Sequence, residues 1–246
     1  MSIALRPRSA GEVLDASFQV LRQHYVTLVS APAALLLPLV ATRLLLPQAW
    51  LLSVLQPLLS VFATAAVVVM VADLYMGRRP DVGRAMTVVG ERWWAVLVTA
   101  LFQMVMVWVG FLLLIVPGIV FAAMSFAMPM TVVVEGGTAG DSFERSRELA
   151  SGHLLRILGT AVLAWLIYML AFMAISAILS GLGILAGAPR LATALGEAVS
   201  ILFFPCYAVV ATVLYFDIRI RKEAFDVEML TRQMSEVFPP EAVVAR

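Results

Sequence analysis

Apolar residues run through this chain in six blocks, at residues 26–46, 51–75, 95–116, 119–134, 155–180 and 195–216, and charged residues gather in the stretches between them. A helix rises about 1.5 Å per residue, so a block of roughly 20 apolar residues crosses the hydrocarbon core of a bilayer. The fourth block is short, and only Pro117 and Gly118 part it from the third. Yet 40 residues without a charge lie between Trp94 and Glu135. That is about 60 Å of helix, enough for two crossings and too much for one. The pattern therefore predicts an all-α integral membrane fold with six transmembrane helices and a tight hairpin at Pro117-Gly118.

Spans 1, 3 and 5 are each preceded by a segment that reads as an interfacial amphipathic helix. Leu14, Phe18, Leu21 and Tyr25 recur at helical spacing in the first, and Val82, Met86, Val89 and Trp93 in the second. The third, residues 138–153, is more polar, with Phe143 and Ala150 as its best apolar points. Ser9 with Glu12 forms a capping-box pattern, Pro80 suits a first helical turn and Thr138 suits an N-cap. The turns into the membrane fall at His24-Tyr25, Trp93-Trp94 and Leu154-Leu155. Together they predict a threefold repeat of interfacial helix plus hairpin, in a single membrane domain over residues 1–236 with a disordered tail at 237–246.

Composition narrows the class further. Of 246 residues 62% are hydrophobic and 13% charged, with mean hydropathy +0.98, which excludes a water-soluble domain. Lys and Arg collect before the first span (Arg6, Arg8, Arg22), in the second connection (Arg78, Arg79, Arg84, Arg92), in the fourth (Arg145, Arg147, Arg156) and after the last span (Arg219, Arg221, Lys222, Arg232, Arg246). The other side holds Arg43 and Arg190. The positive-inside bias then places both termini in the cytoplasm. With a net charge of +1 and no basic stripe, no nucleic-acid partner is expected. The first block is too long for a signal-peptide core and reads as a retained span. Cys206 stands alone, so no intrachain disulfide forms, and it reads as a small apolar residue of the last span.

The second span of every unit ends on a carboxylate: Asp73, Glu135 and Asp217, with Arg78 and Arg79, Arg145 and Arg147, or Arg219 and Arg221 a little beyond. Unpaired acids at that depth are costly, so they should pair with these arginines or cap neighbouring interfacial helices. Two readings of this polar collar stand, a structural one and a headgroup or ion site at the membrane face. His24 and His153 lie beside span starts and carry no ligand pattern. The chain has no phosphate loop, metalloprotease helix or nucleophile elbow, so no catalytic residue, cofactor or metal is expected. Gly181, Gly183 and Gly187 read as a flexible loop between the last two spans. Mid-span polarity is thin, chiefly Gln103, Tyr168 and Thr64, and Pro32, Pro38, Pro129 and Pro205 read as kinks or as breaks in substrate-binding helices. Beyond the last span a helix to Met234 carries the stripe Val227, Leu230, Met234 and Val237, stopped by Pro239-Pro240, which could meet lipid or a protein partner.

The segments GEVLDASFQVLRQHY (residues 11–25), FLLLIVPGI (111–119), SFERSRELASGH (142–153) and LYFDIRIRKEAFD (214–226) resemble a family of prokaryotic six-span proteins known as the membrane domain of glycerophosphoryl diester phosphodiesterase. In that family hydrolysis belongs to a separate soluble barrel, so the resemblance implies a membrane domain of a prokaryotic cytoplasmic (inner) membrane without an activity of its own. The expected function is a noncatalytic scaffold, adaptor or lipid-interacting accessory protein, its partners being membrane lipids and a protein docked through the cytoplasmic helices. The alternative is a transporter or channel for a small or lipid-like solute, with Asp73 and Asp217 at its inner mouth.

Overall fold

The computed structural model describes residues 8–45 and 51–223, and all regular structure among them is helical. Arg6, Arg232, Arg246, the apolar stripe after Glu223 and the tail at 237–246 lie outside the described residues. The helices are α1 (Ala10–Leu45), α2 (Leu51–Tyr75), α3 (Val82–Glu91), α4 (Trp93–Leu113), α5 (Ile115–Met124), the single turn α6 (Met128–Met130) running into a π segment (Thr131–Glu135), α7 (Ala139–Ala150), α8 (Leu154–Leu185) and α9 (Pro189–Glu223). Six segments are long and apolar enough to cross a membrane, the fourth being Ile115–Glu135.

A threefold repeat is written in the backbone. His24, Arg92 and His153 leave helical geometry in the same way, at φ/ψ of −126°/19°, −110°/16° and −125°/12°. Each sits where a pre-span helix turns into an odd-numbered span. The Arg92 and His153 carbonyls already accept from the amides of Val96 and Ile157, so one residue bends the axis while the hydrogen-bond ladder is scarcely interrupted. Counting from these three junctions, burial repeats in register. Seven residues before them lie Ser17, Ala85 and Ser146, and three before lie Leu21, Val89 and Ala150. Four after come Leu28, Val96 and Ile157, and seven after come Ala31, Thr99 and Thr160, every one of them buried. That spacing is the helical period, so one stripe of each unit faces inward on both sides of its bend.

The second span of each hairpin lies inside and the first lies outside. In the most apolar stretches of α2, the fourth span and α9, 61%, 44% and 56% of residues are buried, against 28%, 17% and 6% for α1, α4 and α8. Val67, Val68 and Met70 of α2, Met128 and Met130 of the fourth span and Val209 and Val213 of α9 fill the centre. The exposed aliphatic residues of α4 and α8 form the outward apolar belt expected of a helix facing hydrocarbon.

Four expectations change. The α4–α5 turn is made by Leu114 alone, in extended conformation (φ −170°, ψ 161°), and Pro117-Gly118 belong to the first turns of α5. Proline is tolerated there because the amide it lacks would have no intrahelical partner. Gly118 and Gly110 instead let the two helices touch, since a Cβ on Gly110 would lie 2.8 Å from the Gly118 Cα. Gly181 and Gly183 are inside α8, with Gly183 packed on Ala192 of α9, and only Gly187 (φ +68°) makes the turn. Pro80 precedes α3, whose N-cap is Asp81. Finally, the helix expected at the interface ahead of span 1 runs along α9 instead: the Arg8 amide meets Asp217, and the Tyr25 hydroxyl reaches the Leu202 carbonyl at 2.8 Å, contacts about 22 Å apart along α9, and the first candidate span begins at Ala10.

Among the described residues, the fourth span carries the one break at a proline that opens the ladder. Between Ser125 and Ala127 the helix stops, and Pro129 starts the next turn. The freed groups are satisfied within the chain. Gln103 Nε2 donates to the Ser125 carbonyl at 2.8 Å, Ser146 Oγ donates to the Met124 carbonyl at 2.6 Å, and Ser146 Oγ accepts from the Ala127 amide at 3.0 Å.

Candidate functional site

The three carboxylates stand at one end of the bundle. At the end of α2, Gly77 takes a left-handed φ of +72° and turns the chain back, so that Arg78 Nε reaches Asp73 Oδ1 at 2.9 Å. Arg84 of α3 donates to the same oxygen. Asp73 is 1% exposed, and its Oδ2 finds no partner. Arg79, expected in this group, points to solvent without an ion pair among the described residues.

Glu135 closes the π segment, and Gly136 (φ +84°) follows it under the Arg92 guanidinium. Arg145 of α7 donates through Nε to Glu135 at 2.9 Å, through Nη1 to Glu148 at 3.2 Å, and pairs with Glu223 of α9. Burial pushes the Arg145 guanidinium toward losing its proton, but Glu135 and Glu223 outweigh that and hold it more firmly protonated than usual. Tyr215 donates its hydroxyl to Glu135, and Arg219 lies 3.7 Å from it. Arg147 is exposed in the last turn of α7 and makes no ion pair among the described residues.

Asp217 is 0% exposed and the most heavily engaged. Its Oδ1 accepts from the Arg8 amide at 2.6 Å, just before the N-terminus of α1. Its Oδ2 accepts from Arg156 Nη2 at 2.8 Å and Arg221 Nε at 3.1 Å. The Arg8 carbonyl accepts from Arg221 Nη2 at 2.6 Å and also from Arg156. Arg8 Nη1 donates to the Tyr75 hydroxyl at 2.9 Å, and the Tyr75 ring stacks on Phe216 with centroids 4.2 Å apart.

The arrangement is a closed ring. Asp73 of the first unit holds α3 of the second through Arg84, Glu135 of the second holds α7 of the third through Arg145, and Asp217 of the third holds the start of α1. Arg84 and Arg145 occupy the same place in the repeat, eight residues before their junctions, where the first unit has Ala16. The missing arginine is made up by the Arg8 amide with Arg156 and Arg221. Arg219 departs from expectation because two residues on a helix differ by about 200° in direction. Asp217 and Arg221 therefore face α1 and α8, while Tyr215, Arg219 and Glu223 face Glu135 and α7.

The four-residue spacing of Arg219 and Glu223 marks the pair that the structure forms at 3.0 Å, but sequence reasoning missed Arg8, Arg84, Arg156, Tyr75 and Tyr215 as members of this ring. Only Arg84 had a readable sign, its register match to Arg145. The others come from elements distant in sequence. Lys222 adds a further tie, donating to the Glu148 carbonyl and to Ser151 Oγ, which satisfies the C-terminal end of α7. Among the described residues no group of three or more His, Cys, Asp or Glu side chains could hold a metal ion. What the ring does chemically is fix three helical units against one another and present guanidinium groups around buried acids. Comparison of the chain with protein-family models, with curated proteins and with solved structures finds no match.

Proposed function

We propose that this multi-pass membrane protein is a noncatalytic scaffold or adaptor of a prokaryotic cytoplasmic membrane, lipid-interacting, and working through its arginine-bearing end, with both termini in the cytoplasm. The observation that carries the reading is how the ring uses its charges. The acids are spent within the chain, on neighbouring helices, while Arg79 and Arg147 stand exposed at the same end without an ion pair among the described residues. Cations left at a membrane border attract anionic headgroups and acidic protein segments. The resemblance to the membrane domain of glycerophosphoryl diester phosphodiesterase agrees with this reading, and no turnover of glycerophosphodiesters is expected from the chain alone.

Transport of a polar solute would need polar groups left open in the middle of the bundle. Gln103 and Ser146 are instead occupied in closing the broken fourth span, the unpartnered buried hydroxyls of Thr99 and Thr160 stand singly on separate helices, and the centre between α2 and α9 is packed with apolar side chains. That packing favours the scaffold. The test is purification in native-lipid nanodiscs of the wild type and an Arg79→Glu, Arg147→Glu variant, with mass spectrometry of what stays bound. Loss of specific proteins or anionic lipids at unchanged thermal stability is the expected result. Identical retention in both samples would remove the basis of the reading.

A further inference from the structure

An apolar cleft of about 500 Å³, its open mouth included, lies between the first half of α1, α8 and α9. At one end are Leu14, Ala164 and Val210, and at the other Leu21, Ala171 and Phe203. The Arg8–Asp217 and Tyr25–Leu202 contacts set α1 antiparallel to α9, and the Arg156–Asp217 and Ser180–Ala192 contacts do the same for α8. All three walls therefore run away from one point, the cluster of Arg8, Arg156 and Arg221 around Asp217. The near end of the cleft lies about 9 to 16 Å from that cluster along the helices.

The cluster is itself incomplete. Arg156 and Arg221 share one carboxylate oxygen, so two guanidinium charges meet a single negative charge. Arg156 Nε is buried and has no acceptor. A desolvated guanidinium N–H without a partner is costly, and an ion or water from outside the chain is among its explanations. An anion on Arg156 and Arg221 would balance the charge, and an apolar chain attached to it would lie in the cleft below.

We propose that this groove is a binding site for one anionic phospholipid, its phosphate oxygens accepting from Arg156 Nε and the exposed edge of Arg221, and one acyl chain lying between α1, α8 and α9. Charge complementarity selects an anionic headgroup over a zwitterionic one. The lipid would fasten the third unit to the first, where the repeat lacks the arginine found in its other two units. This deepens the lipid-interacting side of the function proposed above and rests on it only in that the chain resides in a bilayer. Arg79 and Arg147 play no part, so the loss of this lipid and the loss of partners at those arginines are separate results.

The experiment is native mass spectrometry of the full chain equilibrated with phosphatidylglycerol and phosphatidylcholine of identical acyl chains. The wild type should retain one phosphatidylglycerol in preference to phosphatidylcholine by about fivefold or more, the value of one unbalanced guanidinium charge near the membrane surface for an anionic headgroup. Ala171→Phe, which fills the cleft, should abolish retention of both lipids, and the milder Ala171→Leu should weaken it in proportion. Arg156→Lys keeps the charge but removes Nε, so it should weaken retention of both lipids, whose phosphates share that donor, and keep the preference for phosphatidylglycerol, whereas Arg156→Gln leaves Asp217 balanced by Arg221 alone and should lose the preference. Each variant is checked for an unchanged unfolding midpoint, and the leucine variant serves if the phenylalanine variant does not fold. Headgroup-blind binding, or wild-type retention in both Ala171 variants, would overturn the proposal. So would inorganic phosphate stabilising the chain as well as phosphatidylglycerol does, because the site would then belong to a free anion.

Discussion

Asp217 and Glu135 hold equivalent places in the ring but differ in access to water, and that difference ranks the cost of neutralising them. Asp217 is fully buried under two guanidinium groups, whereas Glu135 is 22% exposed. Removing one partner of a buried charge pair costs about 3 to 5 kcal/mol, because the other charge is stranded. Asp217→Asn should thus destabilise the protein by about 3 kcal/mol, and Glu135→Gln by about 1 to 2 kcal/mol. Chemical unfolding in detergent measures both, and the reverse order would contradict the burial ranking. Asp141 supplies a pH test at the same scale. Its hydrogen bonds to Thr138, in the capping box of α7, hold its carboxyl below the ordinary value of 3.8. A carboxyl lowered by folding adds stability that is complete above the unfolded value and disappears as pH falls through the folded one. Amide exchange at the start of α7 should accordingly quicken as pH drops below 3.8, beyond the intrinsic rate change. Thr138→Ala should erase that extra acceleration.

Elements in this fold are held by a few positions where two backbones, or a backbone and a short side chain, meet closely. Ser146 is one: it serves both sides of the break in the fourth span. Ser146→Ala strands the Ala127 amide and the Met124 carbonyl, at a cost of about 1 to 3 kcal/mol each before relaxation. The expected readout is faster hydrogen exchange at residues 124–131 with α2 and α9 unchanged, and uniform exchange across the whole chain would show that the break is not a local unit. Gly110 is the other. A methyl group there meets the Gly118 backbone, so Gly110→Ala should cost about 1 to 3 kcal/mol by prising α4 from α5. Gly159→Ala on α8, where nothing lies within 4 Å, is the matched control and should be neutral or slightly stabilising.

Across the whole molecule, the ring gathers the arginines of the α2–α3 connection, α7, the start of α8 and the end of α9 at one end, and the α8–α9 turn lies at the other. The orientation proposed above, resting on the positive-inside bias, puts the arginine end in the cytoplasm. In a Cys206→Ser background, a membrane-impermeant thiol reagent applied to intact cells should label Ala186→Cys at the α8–α9 turn. It should label Arg79→Cys only after lysis. The opposite pattern would invert the topology and move the proposed partner surface outside the cell.

Six spans and the three acids at the ends of the second spans were legible in the chain, because hydrocarbon imposes length and apolarity on each span separately. The three bends were legible to within a residue or two for the same reason, since polarity changes where a helix enters the apolar block. The tertiary structure alone decided which arginine meets which acid. Arg219 turns to Glu135 rather than Asp217 through its direction on α9, and Arg8 and Arg156 arrive at Asp217 from elements remote in sequence. It also decided that Gly110, Gly118 and Gly183 serve contact rather than turning, and that the first half of α1 follows α9. Periodicity and length act within one helix and can be read along it. Pairing across helices depends on rotation and crossing between elements, which a linear pattern does not contain.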